Sequence, residues 1–142
     1  MTFGSYRKAL GQTPKDDEYE LLRFCNKLNT SVIGGASRLF TYFKNNYNPI
    51  KIISYASLDR SNGNLYDKLG FTLIGKSKPN FYWIIDNIRE YRFKYRKDIL
   101  VKSGHDKNMT AIEIMHNLDH YRTYDSGNLK YEYISLNSIY KL

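Results

Sequence analysis

One cysteine, Cys25, among 142 residues excludes a disulfide framework and any zinc site built on several thiolates, and it fits a reducing compartment. Three prolines and nine glycines are too few for a fibrous or low-complexity chain. No apolar run approaches the length needed to span a bilayer, and residues 1–11, which include Arg7 and Lys8, lack the apolar segment of a secretory signal. Acids are scarce as well: 14 stand against 22 lysines and arginines, a formal net charge of +8. The expectation is a cytoplasmic protein with no membrane partner, whose field attracts polyanions such as nucleic acid or an anionic cofactor.

What is present is core-forming material. Apolar residues make up 42% and aromatics 15% of the chain, enough to fold without staples at this length. One domain covering residues 1–142 is expected, with residues 103–142 an appended helix and strand region. Pro14, Lys15, Asp16, Asp17 and Glu18 read as part of a solvated connection, and Tyr19 to Cys25 as a strand bounded by turn-prone residues. Asn29, Thr30 and Ser31 lead through Gly34 and Gly35 into a helix over Ala36 to Lys44, where Leu39, Phe40 and Phe43 recur at helical spacing. The asparagines from Asn45 and Pro49 close it.

Ile50 to Ala56 reads as the next strand, and Asn64 to Leu69 as a short helix ended by Gly70. Phe71 to Gly75 and Phe81 to Ile85 read as two more strands around Pro79. Thr110 and Glu113 have capping-box spacing before a helix over Ala111 to Asn117, with Ile112, Met115 and Leu118 as its apolar stripe. Strands alternating with helices in this way give an α/β or α+β domain around a central sheet.

The run Ser31, Val32, Ile33, Gly34, Gly35, Ala36, Ser37, placed after a strand and opening a helix, resembles the pyrophosphate loop of the GNAT acyltransferase superfamily. Glycines there let the backbone approach phosphate oxygens, and unpaired amides at the helix start point toward them. Ser31 stands where that family has glutamine or arginine. After one more strand, Asn64, Leu65, Tyr66, Asp67, Lys68, Leu69, Gly70 and Phe71 resemble the superfamily's second motif, in the same order along the chain. The resemblance implies a GNAT-like mixed central sheet flanked by helices, its N-terminal part shortened. It also implies acetyl-coenzyme A held by Gly34, Gly35, Ala36, Ser37 and Asn64, with Tyr66 as the acid that protonates the departing thiolate. Glu20 and Asp59 are the carboxylates available as a general base. The competing structural reading makes Asn64 a helix cap and leaves Leu65, Leu69 and Phe71 as packing residues.

A wider resemblance covers nearly the whole chain. Tyr19–Cys25, Ser54–Ala56, Asn64–Tyr66, Pro79–Tyr82, Arg92–Lys97 and Tyr121–Asp125 resemble the carboxyl-terminal region of phage homing-endonuclease-like proteins. Longer members carry a very-short-patch-repair-type nuclease domain upstream, which this sequence lacks. The resemblance therefore implies contact with DNA in a bacterial host, without cleavage.

Between Arg89 and Lys102 six cations, Arg89, Arg92, Lys94, Arg96, Lys97 and Lys102, face two acids, Glu90 and Asp98. Tyr91, Phe93 and Tyr95 alternate with Arg92, Lys94 and Arg96, so an extended chain would carry one aromatic and one cationic face, suited to phosphate contact and base stacking. An edge strand with a solvated basic face is the plainer alternative. Glu113, His116 and His120 fall near one helical face, but no metal site is assigned. Cys25, next to Phe24, reads as a small buried hydrophobe. Asp59 with Arg60, and Arg122 with Tyr124 and Asp125, are either polar site residues or loop-stabilising groups.

The leading expectation is a nucleic-acid-binding accessory or targeting domain on a GNAT-like fold, needing no cofactor. An acetyl-coenzyme A-dependent N-acyltransferase acting on a nucleobase or host protein is the first alternative. An inhibitor of a host protein, as a possible homodimer, is the second.

Overall fold

The computed structural model describes residues 1–7, 11 and 13–135. It is a mixed α+β structure. In chain order it has strands β1 (Thr2–Gly4) and β2 (Glu18–Arg23), helix α1 (Gly35–Tyr47), strand β3 (Lys51–Ser57), helix α2 (Asn64–Lys68) and strands β4 (Thr72–Lys76), β5 (Phe81–Ile85) and β6 (Ile88–Tyr91). A 3₁₀ turn over Arg92–Tyr95 then leads into α3 (Lys97–Lys102), α4 (Ala111–Asn117), β7 (Tyr121–Tyr124) and β8 (Asn128–Ile134). No helix among the described residues is long and apolar enough to cross a membrane.

The chain divides into two compact units: Met1–Ser77 together with the segment from Asn128, and Lys78–Gly127. The first is a five-stranded sheet in the order β1-β2-β3-β8-β4. Only β2 and β3 run parallel; the other neighbours are antiparallel. Strand β3 is central and apolar, with Ile52, Ile53, Ser54 and Ala56 all buried. Ile52 and Ala56 point to the side where Phe40 and Phe43 of α1 join Leu69, Phe71 and Tyr131 in one core. On the other side Ile53 neighbours Glu20 in register, and Glu20 is held by Arg7.

Helix α1 runs three residues beyond the expected Lys44. Asn46 donates its side-chain amide to the Tyr42 carbonyl at 2.8 Å, and the Tyr47 ring stacks on Phe43 at 4.9 Å, so packing outweighs the weak helix preference of asparagine. The chain leaves the helix at Asn48, which adopts a left-handed conformation just before Pro49.

The second unit is a three-stranded antiparallel sheet, β6-β5-β7, with α3 and α4. Trp83 of β5 packs with Leu100, Ile114 and Met115, and Tyr95 and Phe81 close the margin. Asp86 and Asn87, both at positive φ, make the tight turn between β5 and β6. The capping box forms: Thr110 accepts from the Glu113 amide and the Glu113 carboxylate accepts from the Thr110 amide. The apolar stripe differs from the expected one. Ile114 and Met115 are buried, while Ile112 and Leu118 are 39% and 43% exposed. A seven-residue helix has room for a single inward face, here drawn by Trp83 and running through Ala111, Ile114 and Met115.

The extended conformation that would give Tyr91 to Arg96 an aromatic and a cationic face does not form. Only Arg89, Glu90 and Tyr91 lie in β6; residues 92–95 coil into the 3₁₀ turn and Lys97 to Lys102 form α3. Tyr95 and Leu100 fold in against Trp83, and burying them is worth more than prolonging an edge strand that has one partner.

Candidate functional site

The only parallel pair among the described residues of the first unit opens like a fork. Pairing between β2 and β3 starts at Glu18 and Lys51 and stops at Leu21 and Ser54. Beyond that point β2 follows β1, with Thr2 opposite Arg23, while β3 stays paired with β8 as far as Ser57. Where the strands part, the buried Ser54 hydroxyl donates to the Leu21 carbonyl at 2.7 Å and lies 3.0 Å from the Tyr66 hydroxyl. Tyr66 reaches this position from α2, its ring stacked on Tyr131 at 4.7 Å and edge-on to Phe71 at 5.6 Å.

Both connections that leave the carboxyl ends of this pair run into helices. The one after β2 enters α1 through Gly34, in a left-handed conformation with φ of 69°. Gly35, Ala36 and Ser37 form the first turn of α1, with no side-chain cap and no acid, and Arg38 follows. The other connection enters α2 through Gly63, also left-handed, so Gly63 and not Asn64 is the N-cap. Asn64 is the first residue of that helix and is exposed; its amide bonds to the Asn62 side chain at 3.2 Å. The carboxyl end of a parallel pair is where open sheets of this kind take ligands. Gly34 to Ser37 and Tyr66 thus follow the carboxyl ends of two neighbouring strands of one sheet.

The two candidate bases are otherwise engaged. Glu20 is buried and receives Arg7 in a two-pronged ion pair, Nε to Oε2 at 3.0 Å. Asp59 accepts from Ser57 and lies 3.8 Å from Arg60. A cavity of about 390 Å³ between β1, β2 and α1 is lined by Phe3, Tyr19, Leu39, Phe43 and Tyr47. Its lining runs along β2 from Tyr19 to the level of Leu21, which Phe3 faces in register.

The six cations between Arg89 and Lys102 split into kinds. Lys94 pairs with Glu90 at 2.7 Å and Arg96 with Asp98 at 3.1 Å. The Glu90 carboxylate, which both pairs with and hydrogen-bonds the ammonium, raises the Lys94 pKa above the ordinary lysine value. The Arg92 guanidinium lies between Phe81 and Phe93, 5.3 and 5.1 Å from the ring centres, with its Nε buried. Lys97 and Lys102 are exposed at the two ends of α3. Arg89 alone stacks on an aromatic face pointing outward, 3.6 Å above the centre of Tyr82. Tyr82, the partner of Arg89, and Tyr121, on the same sheet face beyond Ile84, are not singled out by local sequence; the alternation of β5 and β7, carried across the register, is the signal for them.

Asp125 accepts from the amides of Asn80 and Gly127 at 2.8 and 2.9 Å, which makes it a loop-holding residue. Arg122 lies over Phe81 and Tyr124. His116 meets Trp83 edge-on and Glu113 serves the cap; among the described residues no group of three histidine, cysteine, aspartate or glutamate side chains is placed to hold a metal ion. Cys25 is exposed, contrary to the buried position expected of it, because β2 ends at Arg23 and the chain beyond leaves the sheet. The chain matches no protein-family model and no curated protein.

Proposed function

We propose that the first unit binds a coenzyme A thioester in the manner of the GNAT acyltransferases, with Tyr66 in the general-acid position. One observation carries the reading: the parallel strands part at Leu21 and Ser54, and the Tyr66 hydroxyl stands at the point of parting. The residues suit such a cofactor. Helix α1 has 13 residues, opens on two glycines, and has no acid in its first turn to repel a diphosphate. Arg38 adds a charge one residue further on.

When bound, the cofactor supplies an activated acyl group and a thiolate leaving group. The Gly35 amide is already given to the Val32 carbonyl at 3.0 Å, so the chain's own part is to receive the diphosphate on the amides of Ala36 and Ser37, and to hold a proton on Tyr66 at the fork. Ser54 fixes the position of that hydroxyl, since its own proton is given to Leu21.

Calorimetry with acetyl-coenzyme A tests the reading. Saturable binding is expected in the unaltered protein, and its loss in Gly35→Leu with an unchanged melting temperature. A Cβ at Gly35 would sit 3.1 Å from the exposed Val32, which has room to give. No saturable heat at millimolar cofactor would overturn the proposal.

A further inference from the structure

We propose that the face of the β6-β5-β7 sheet opposite its own helices binds single-stranded nucleic acid by stacking bases on its tyrosines. The register fixes the members of this face. Tyr82 stands opposite Tyr91 and Thr123, and Ile84 stands opposite Arg89 and Tyr121. The reverse face carries Phe81, Trp83 and Ile85, and both helices of the unit pack there through Leu100, Ile114 and Met115. The tyrosine face therefore has no helix of its own unit upon it, and Tyr91 and Tyr121 are 46% and 65% exposed.

Charge selects the occupant. None of the six residues on the face is acidic. Glu90 alternates to the other side, where it takes Lys94. Arg89 has no carboxylate partner among the described residues and lies flat on Tyr82, while Tyr82 and Tyr91 meet at 5.9 Å. Apart from Glu90, the nearest acid along the chain is Asp86, at the hairpin tip. A flat face with exposed rings and an unpaired planar cation, in a protein of net charge +8, matches an anionic chain with free aromatic faces. Single strands offer those faces, whereas duplex bases are already stacked on each other. The cations assigned from sequence serve this site only through Arg89, since Lys94 and Arg96 are spent on neighbouring acids.

Fluorescence titration of a labelled oligothymidine against the full chain, beside a duplex of equal length and over a salt series, tests the proposal. Preference for the single strand is expected. Tyr91→Ala and Tyr121→Ala should each weaken it roughly 5- to 150-fold. Arg89→Glu should weaken it and flatten the salt dependence. Circular dichroism melts check that these surface variants remain folded, and Tyr66→Phe, in the other unit, should bind as the parent does. Undetectable binding at low salt would overturn the proposal. So would duplex preference lost through Lys97→Glu and Lys102→Glu with the tyrosine variants unchanged, or capture of a protein by this face with no effect of oligonucleotide.

Discussion

The ring of Tyr131 occupies the space that a side chain at Gly63 would need. A Cβ built on Gly63 overlaps the tyrosine hydroxyl and stands 2.8 Å from Cζ, and Gly63 has φ of +87°. Two independent costs then bear on Gly63→Ala: left-handed strain of about 1–2 kcal/mol and overpacking of about 1–3 kcal/mol. Urea unfolding should show a loss of about 2–5 kcal/mol. Adding Tyr131→Phe should recover only part, because Cζ remains too close. A Gly63→Ala protein as stable as the parent would mean that Tyr131 is free to move.

Arg7 and Glu20 make a second long-range pair, one half-exposed and one buried: the side chains are 50% and 1% accessible. Removing the arginine leaves a carboxylate stranded beneath the sheet. Arg7→Ala is expected to cost about 3 kcal/mol, and Glu20→Gln less, because the amide keeps an acceptor for Arg7 and needs no countercharge. Denaturant midpoints of both variants measure the difference, and the reverse order would contradict the pairing.

Much of this architecture is readable from local sequence. The glycine pair before α1, the Thr110 and Glu113 box and the apolar run of β5 announce themselves, because each depends on residues within one turn or one strand of each other. The Arg89–Lys102 stretch misleads because its alternation suits a strand, while the docking of Tyr95 and Leu100 on Trp83 is settled by residues far along the chain. The antiparallel pairing of β3 with β8, which places Ser57 opposite Asn128, leaves no local trace either. The fork is a further case. Its glycines and tyrosine are legible as motifs, but the point of divergence depends on how long two distant strands remain paired.

Glu113 gives the second unit a pH dependence of definite sign. Hydrogen bonding from the Thr110 amide, then from its side chain, lowers the Glu113 pKa below the ordinary glutamate value. A carboxylate with a depressed folded pKa contributes stability that is present above the unfolded pKa and is lost as pH falls through the folded one. Glu113→Gln should therefore be less stable than the parent at neutrality and converge with it in acid. Thr110→Ala removes the cap at every pH, a cost of about 1 kcal/mol, and because it also takes the side-chain bond from Glu113 its cost should be larger at neutrality than in acid. Urea midpoints across the acid range separate the two, and parallel curves for Glu113→Gln and the parent would exclude the linkage.

Exposure of Cys25 makes a simple chemical prediction. The native protein should react with a thiol reagent such as dithionitrobenzoate at the rate of an open cysteine, releasing one equivalent without denaturant. Protection that persists until unfolding would place the thiol back inside the core.

Tyr66 separates a packing role from a chemical one. Its ring holds Tyr131 and Phe71 whether or not the hydroxyl is present, and Ser54 keeps its bond to Leu21 without it. Tyr66→Phe, which loses the bonds of the hydroxyl with Ser54 and the Tyr55 carbonyl, should thus cost about 1–2 kcal/mol in stability. If the hydroxyl is the acid of an acyl transfer, thiol release from acetyl-coenzyme A should fall roughly 10²- to 10⁴-fold in kcat, with little change in KM. Ser54→Ala, which leaves the tyrosine hydroxyl with only its 3.5 Å bond to the Tyr55 carbonyl, should fall less. Equal turnover in the parent and Tyr66→Phe would reduce Tyr66 to a core residue and remove the chemical role proposed for the fork.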